Sequence, residues 1–376
     1  MLTRPSPVQV PHHELPWIET ATALAADLRL QVEADDVSGE LPAERLRAIS
    51  ASGLDAAFLP TEFGGEALSY AALAQVVRLF AAAHPAAAAV WLMHLGAAHA
   101  LVTLSTPSTA AYFAERLRSG ARFSNALSEP AGGNFFLASQ QDLEPADGGW
   151  TLTGRKLFVS GAEIADHVFL NARVDGAPGF FGVDRDETFS LPDFDQTIGM
   201  RATRSRTIVF DRTLLPASRR CGMPPADYAN LITVGFASLS IGIAESAIDA
   251  LTASASVAKG PAAERLADAS WVKSETAMVW AELRAARLLA EQTAWLADRR
   301  DPQAMAAATE AKMLANEVAK KAAALALKVG GGSAYLARSP IQRIFRDAQA
   351  GALMAYSVPF SQEIVGGWVL SEPGAG

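Results

Sequence analysis

Two runs decide how this chain is read: Ala121–Phe136, ARFSNALSEPAGGNFF, and Gly148–Ala172, GGWTLTGRKLFVSGAEIADHVFLNA. The first is a short apolar run ending in a loop of small residues from Ser128 to Asn134. Such a loop offers hydroxyls and bare backbone N–H groups to whatever lies against it. The second alternates apolar and polar residues from Trp150 to Ser160, with a Gly148-Gly149 turn before it and Gly161 after it, the pattern of a half-buried strand. Two strands ending side by side in Ser128 and Ser160 could hold the edge of a planar heterocycle. On spacing alone, an ordinary hairpin with polar ends is the better explanation of the pattern.

Outward from this stretch the period changes twice. From Ser119 to about Met223 it is two, with glycine or proline every 8 to 12 residues, which predicts a small barrel-like β sandwich. Its expected strands are 121–127, 149–160, 167–174, 179–183 and 207–210. Before it, the spacing of Ala, Leu and Val predicts helices at 19–34, 42–52 and 69–83, then a helix over 84–103 that is apolar nearly all round and therefore buried. After it, helices are expected at 228–257, 262–297, 302–329 and, past a Gly-rich break, 341–370; the first three are long, alanine-rich and amphipathic, the pattern of a four-helix bundle. The fold class is α+β: an irregular arm (1–18), an N-terminal α-helical domain (19–120), a middle β domain (121–224) and a C-terminal helical bundle (225–376).

Composition narrows the function. With 376 residues, half of them hydrophobic, the chain can bury two or three sizeable cores. A net charge of −8 argues against nucleic acid or an anionic membrane as the main partner. Cys221 is the single cysteine, so no intramolecular disulfide and no cysteine metal cluster is expected. The N-terminus lacks an apolar core of signal-peptide length, and no charge-free run of 18 apolar residues stands out; a soluble, cytoplasmic protein is the expectation.

The segment Asn125-Ala-Leu-Ser-Glu-Pro-Ala-Gly-Gly-Asn134 resembles the flavin-binding loop of the acyl-CoA dehydrogenase superfamily, and Lys156-Leu-Phe-Val-Ser160 resembles its second flavin strand. Three further pieces follow in the family's order: Leu59-Pro-Thr-Glu-Phe-Gly-Gly65, Ile198 to Asp211, and Gly331-Gly332 with Pro340 and Arg346-Asp347-Ala348. The resemblance spans roughly residues 40 to 370. It implies FAD, with FMN or a transiently bound reduced flavin as the alternative. Asn125, Leu127, Ser128, Gly133, Asn134, Phe158, Val159 and Ser160 would lie against the flavin ring. Lys259, Lys328, Gly331 and Gly332 would reach its distal end. A homodimer or homotetramer is implied, acting on a small molecule such as a CoA thioester, with a flavin reductase or an electron-transfer partner.

The same resemblance exposes a departure. The dehydrogenases take an α-proton with a glutamate while the flavin takes hydride, and a base of that kind is typically worth about 10² to 10⁴ in rate. That glutamate falls on Ala355, and the alternative family position falls near Ile232. Glu363, Asp227 and Asp211 are expected to be surface or capping groups. A second branch of the superfamily, reduced-flavin monooxygenases, is similar in Asn125-Ala-Leu-Ser-Glu129; its late histidine falls on Met354. There Asn125, Ser128, Ser160 and His94 would surround the oxygen-reacting edge of the flavin, although His94 and His99 also read as core histidines pointing apart on one helix. The alternatives are thus a base-less dehydrogenase-like oxidoreductase, a monooxygenase of the same fold, or a non-catalytic subunit that keeps the fold. Arg201, Arg204 and Arg206 form a basic cluster that would bind a substrate anion or salt-bridge Glu129 and Asp211.

Overall fold

The computed structural model of the chain describes residues 6–130, 139–192, 196–259 and 264–371. The N-terminal part carries α1 (Leu15–Arg29), α2 (Val32–Ser38), α3 (Ala43–Ala51), α4 (Leu54–Ala57), α5 (Tyr70–Ala83), α6 (Pro85–Leu104) and α7 (Pro107–Arg118). The helix ends follow local chemistry. The Ser69 hydroxyl accepts from Ala72 N–H (3.1 Å) at the start of α5. His84 Nδ1 accepts from Ala87 N–H (3.2 Å) at the start of α6, where Pro85 needs no partner. Glycine in the left-handed region at Gly39 stops α2. The arm is shorter than expected, because Pro16 sits at the first turn of α1 and starts that helix at Leu15.

The middle part holds β1 (Phe123–Ala126), β2 (Glu144–Ala146), β3 (Gly149–Val159), β4 (His167–Val174), β5 (Ala177–Asp184), β6 (Phe189–Ser190) and β7 (Arg206–Pro216). They form two sheets, ordered β1-β4-β5 and β2-β3-β7-β6, with β1 parallel to β4 and the other pairs antiparallel. Leu152, Val159, Leu170, Phe181, Ile208 and Phe210 from the two sheets share one core, so the sheets face each other. Strand β4 is buried along almost its whole length because Phe169 on its other face packs with Phe113 and Leu101 of α7 and α6.

The C-terminal part contains α8 (Leu231–Ser256), a short β8–β9 hairpin (Ala258–Lys259, Glu264–Arg265), α9 (Ser270–Asp298), α10 (Ala304–Gly330), α11 (Pro340–Leu353) and α12 (Val358–Leu370). Helices α8 to α11 pack as a bundle with an alanine-rich core, and α5 lies along α8. The single last helix expected over 341–370 is instead two. Tyr356 adopts a left-handed backbone (φ 57°) and Pro359 follows two residues after the Ser357 cap, so the chain bends between Leu353 and Val358. Helices α6 and α8 are long and apolar enough to cross a membrane by length and composition, yet 83% and 89% of their most apolar windows are buried inside the protein. They are its central core helices.

Helices α5 and α8 touch closely at Gly242, where an added Cβ would lie 2.5 Å from Arg78 O and 2.8 Å from Ala82 N. Backbone cannot yield as a side-chain tip can. Gly242→Leu is expected to destabilise by about 1–3 kcal/mol or more, read as a lower urea midpoint, whereas Gly366→Ala on α12, which meets open space, leaves the midpoint unchanged or slightly raised.

Candidate functional site

A cavity of about 760 Å³ opens where the ends of β1 and β3, helix α6, the start of α8 and the bend after α11 meet. That size lies within the usual range for cofactor and small-molecule pockets. On the sheet side it is lined by Asn125, Leu127 and Ser128 and by Phe158 and Ser160. Leu157 N–H donates to Ser128 O at 2.8 Å in an isolated antiparallel bridge, so the loop after β1 runs beside the end of β3. Both serines therefore border one space. Ser160 Oγ lies 2.9 Å from Ser205 Oγ, which lies 3.0 Å from Thr203 Oγ1, a chain of three hydroxyls along the wall. Val159 sits in the sheet core and does not line the cavity; the irregularity between Lys156 and Val159, where Phe158 is left-handed, interrupts simple alternation here.

One buried cluster pins this wall. Lys156 is fully buried and donates to Glu129, to Asn171 O and to Asn171 Oδ1, the last two at 2.7 Å. Ser139 and the Gln140 N–H also bond the Glu129 carboxylate. Burial disfavours the charged carboxylate, but these hydrogen bonds, led by Lys156, outweigh it and hold Glu129 below the ordinary range.

The helical side contributes Met93 and Gly96 from α6, Ile232, Thr233 and Phe236 from α8, and Leu353 to Tyr356 from the bend. Ile232 and Ala355, the two positions where the family's base falls, both face the cavity and are both apolar. Tyr228 also lines it; burial pushes its phenol up to about 12, so it stays a hydrogen-bond donor, with Thr103 and Asn230 beside it. Phe158, Met200 and Tyr356 all have left-handed backbones and all line the cavity. Each costs about 1–2 kcal/mol, and such residues cluster at working sites.

His94 does not join this site. Its Nδ1 accepts from Phe123 N–H (2.9 Å), so Nε2 carries the proton and donates to Asp55 Oδ2 (3.1 Å). Burial, with Arg122 nearby, lowers His94 to about 4 and keeps it neutral. Asp55 also accepts from Trp91 Nε1 (2.7 Å), Ser50 Oγ (2.6 Å) and Arg122 Nη1 (3.3 Å). The histidine is a structural link between α4, α6 and β1.

Other expected contacts scatter. Lys328 pairs with Glu275 at 2.6 Å and lies over the Trp271 ring, and neither it nor Gly331 and Gly332 lines the cavity, because the end of α10 lies away from it. Gly133 and Asn134 lie outside the described residues, as does the side chain of Lys259. Arg204 and Arg206 both pair with Glu163, not with Glu129 or Asp211 as the sequence suggested, and Arg201 bonds Gln196. Asp227 pairs with Arg300 at 2.8 Å, and Glu363 is exposed. Thr203, Ser205, Tyr228 and Tyr356 are cavity residues the sequence reading missed; a hydroxyl at every second residue in Thr203-Arg-Ser205 was the available signal.

Helices from both ends of the chain closing over the edge of a two-sheet middle part define a three-domain enzyme architecture. Family models agree with it piece by piece: the acyl-CoA dehydrogenase N-terminal domain matches residues 16–121, the middle domain 124–213 and the C-terminal domain 233–355. The chain belongs to the acyl-CoA dehydrogenase family. It is 26% identical over 332 residues to the probable acyl-CoA dehydrogenase fadE25 of Mycobacterium leprae, covering 84% of each chain. Among solved structures it superposes on butyryl-CoA dehydrogenase from Megasphaera elsdenii (TM-score 0.88, 19% identity, 96% of this chain and 99% of that one). It superposes comparably on FMN-bound TdsC from Paenibacillus sp. A11-2 (TM-score 0.84, 21% identity, 96% and 98%).

Removing one member of the buried Lys156–Glu129 pair leaves the other uncompensated. Glu129→Gln and Lys156→Met are each expected to cost about 3–5 kcal/mol in denaturant unfolding. The sign of the pH dependence follows from the depressed carboxylate: its contribution is complete above the ordinary value of 4.5 and is lost as pH falls through the lower folded value. Glu129→Gln should therefore flatten the acid limb of the stability curve.

Proposed function

We propose that the chain is a flavin-dependent oxidoreductase that binds a small organic substrate in the 760 Å³ cavity and transforms it without a carboxylate that removes a proton from carbon. The carrying observation is the pair Ile232 and Ala355, both on the cavity wall and both unable to move a proton. Among the described residues, the cavity's charged groups are Glu129, held by Lys156, and Arg346, held by Asp36, which leaves the phenols of Tyr228 and Tyr356 as its described neutral titratable groups.

The cavity suits a flavin. Asn125 Oδ1 is buried there with no partner among the described residues, and an unpaired buried acceptor is costly unless a ligand donates to it. Asn125, Leu127, Ser128, Phe158 and Ser160 would hold the ring, which supplies two-electron transfer to or from the substrate when bound. FAD is the proposed form, and FMN or a transiently bound reduced flavin is the alternative. Thr203 and Ser205 orient the Ser160 hydroxyl, Phe158 shields the mouth, and Tyr228 donates to an acceptor on the substrate. Lys259, Lys328, Gly331 and Gly332 are proposed to meet the distal end of a cofactor in a neighbouring subunit of a homodimer or homotetramer. The exposed Trp271, Met278 and Trp295 along α9 fit such an interface.

A specific feature favours a second reading, a reduced-flavin monooxygenase served by a separate reductase. The sheet wall presents hydroxyls and an amide where the ring would lie, and facing it Met93, Ile232, Phe236, Met354 and Ala355 put apolar groups over that space, with no free carboxylate or imidazole among the described lining residues.

Purified protein is expected to take up FAD with a visible flavin band, which would overturn the non-catalytic scaffold; no band with FAD, FMN or reduced flavin would overturn the flavin reading. Under anaerobic conditions a panel of acyl-CoA esters should bleach that band slowly or not at all. Ala355→Glu should raise the bleaching rate by about 10²–10⁴ for at least one ester. Rapid bleaching of the unaltered protein would sink the base-free reading.

A further inference from the structure

Lys312, in the middle of α10, is 1% exposed, and its ammonium meets no carboxylate among the described residues. It donates instead to two carbonyls, Gly351 O at 3.0 Å and Tyr356 O at 2.9 Å, with the Phe236 ring 5.5 Å from Nζ. A buried cation without a counter-ion is costly, and burial lowers this one to about 7. An alkyl side chain would fill the same space without that cost. What the ammonium alone supplies is its grip on the two carbonyls.

Gly351 O lies in the last turn of α11 and Tyr356 O in the bend that follows it, so the two carbonyls flank Leu353, Met354 and Ala355, which line the cavity with Tyr356. Asn316, one turn along α10, donates to Gly351 O at 2.9 Å and is itself fixed by Ser240 at 2.5 Å. Gly351 has to be glycine for this approach, since a Cβ would lie 2.6 Å from Asn316 Oδ1. Ser361 Oγ adds a second donor to Tyr356 O at 3.0 Å, and the Tyr356 phenol bonds Thr233 on α8. A left-handed tyrosine persists only where its surroundings over-determine it. Here they do.

We infer that Lys312 is a positioning residue: by gripping the Gly351 and Tyr356 carbonyls it sets where the bend presents Met354, Ala355 and Tyr356 to the occupant of the cavity. It acts through backbone and touches neither cofactor nor substrate. The link to reactivity rests on the flavin site proposed above; the grip itself does not.

The test compares wild type with Lys312→Met, which removes the donors, and Lys312→Gln, which keeps an N–H donor on a shorter arm. Lys312→Met should melt at or above the wild-type temperature. In amide hydrogen exchange, residues 350–358 should exchange about tenfold faster or more, with α9 and the sheets unchanged. In the FAD-loaded protein, the visible circular dichroism of the bound flavin should change, and dioxygen should reoxidise the dithionite-reduced form at a rate altered by about tenfold or more. Lys312→Gln should recover part of each. Wild-type exchange in Lys312→Met, or an acceleration spread evenly over the molecule, overturns the grip. Wild-type dichroism and reoxidation with the bend loosened overturn its link to the site. Failure of wild type to bind FAD defeats the flavin reading alone, because exchange still decides the grip. Should Lys312→Met not fold, Lys312→Gln, compared directly with wild type, is read the same way.

Discussion

A lysine sealed from water, Lys156, is the constraint on which the cavity's sheet wall depends. Its ammonium ties the loop after β1, through Glu129, to the middle of β4, through Asn171, while its own backbone belongs to β3. Three strands from two sheets are thereby held at one point. Charges buried this deeply contribute little net stability, since desolvation consumes most of their attraction. Their value is geometric: this register brings Glu129 and both oxygens of Asn171 within reach of one ammonium. A chemical consequence follows. The carboxylate nearest the sheet wall is committed to holding structure and has no freedom to exchange protons with a ligand.

A second buried charge does the matching work on the helical side. Asp55 draws Trp91 and His94 of α6, Ser50 of α3 and Arg122 at the entry to β1 onto one carboxylate, and so fixes the rotation of α6 about its axis. Successive helical residues turn by about 100°, so His94 facing Asp55 leaves Met93 and Gly96, three apart, on the face that looks into the cavity. The same network selects one tautomer of His94, while burial and the nearby Arg122, acting against Asp55, keep it neutral.

Much of this was legible in the residue order. The switch from a helical period to alternation and back placed the three parts, and Ser128 and Ser160 border one space because both stand at the ends of neighbouring strands. Apolar periodicity also marked α6 as buried. What escaped was non-local. Nothing near His94 in sequence names Asp55, 39 residues away, as its partner. Lys312 reads as one more surface cation in an alanine-rich helix until its two carbonyl partners, some 40 residues on, are seen. The break in the last helix was only partly non-local: Ser357 and Pro359 mark a helix start within the expected 341–370 span, whereas the left-handed Tyr356 is held by contacts made elsewhere.

The bend after α11 is anchored by its carbonyls from beneath, while its side chains project the other way. Anchoring of that kind is indifferent to side-chain identity. Replacing Ala355 or Met354 would alter what a ligand meets without disturbing the hydrogen bonds that shape the backbone. An ancestral scaffold arranged like this can exchange one reaction type for another by single substitutions, and a lineage can lose or regain a proton-transfer group there with little penalty to folding.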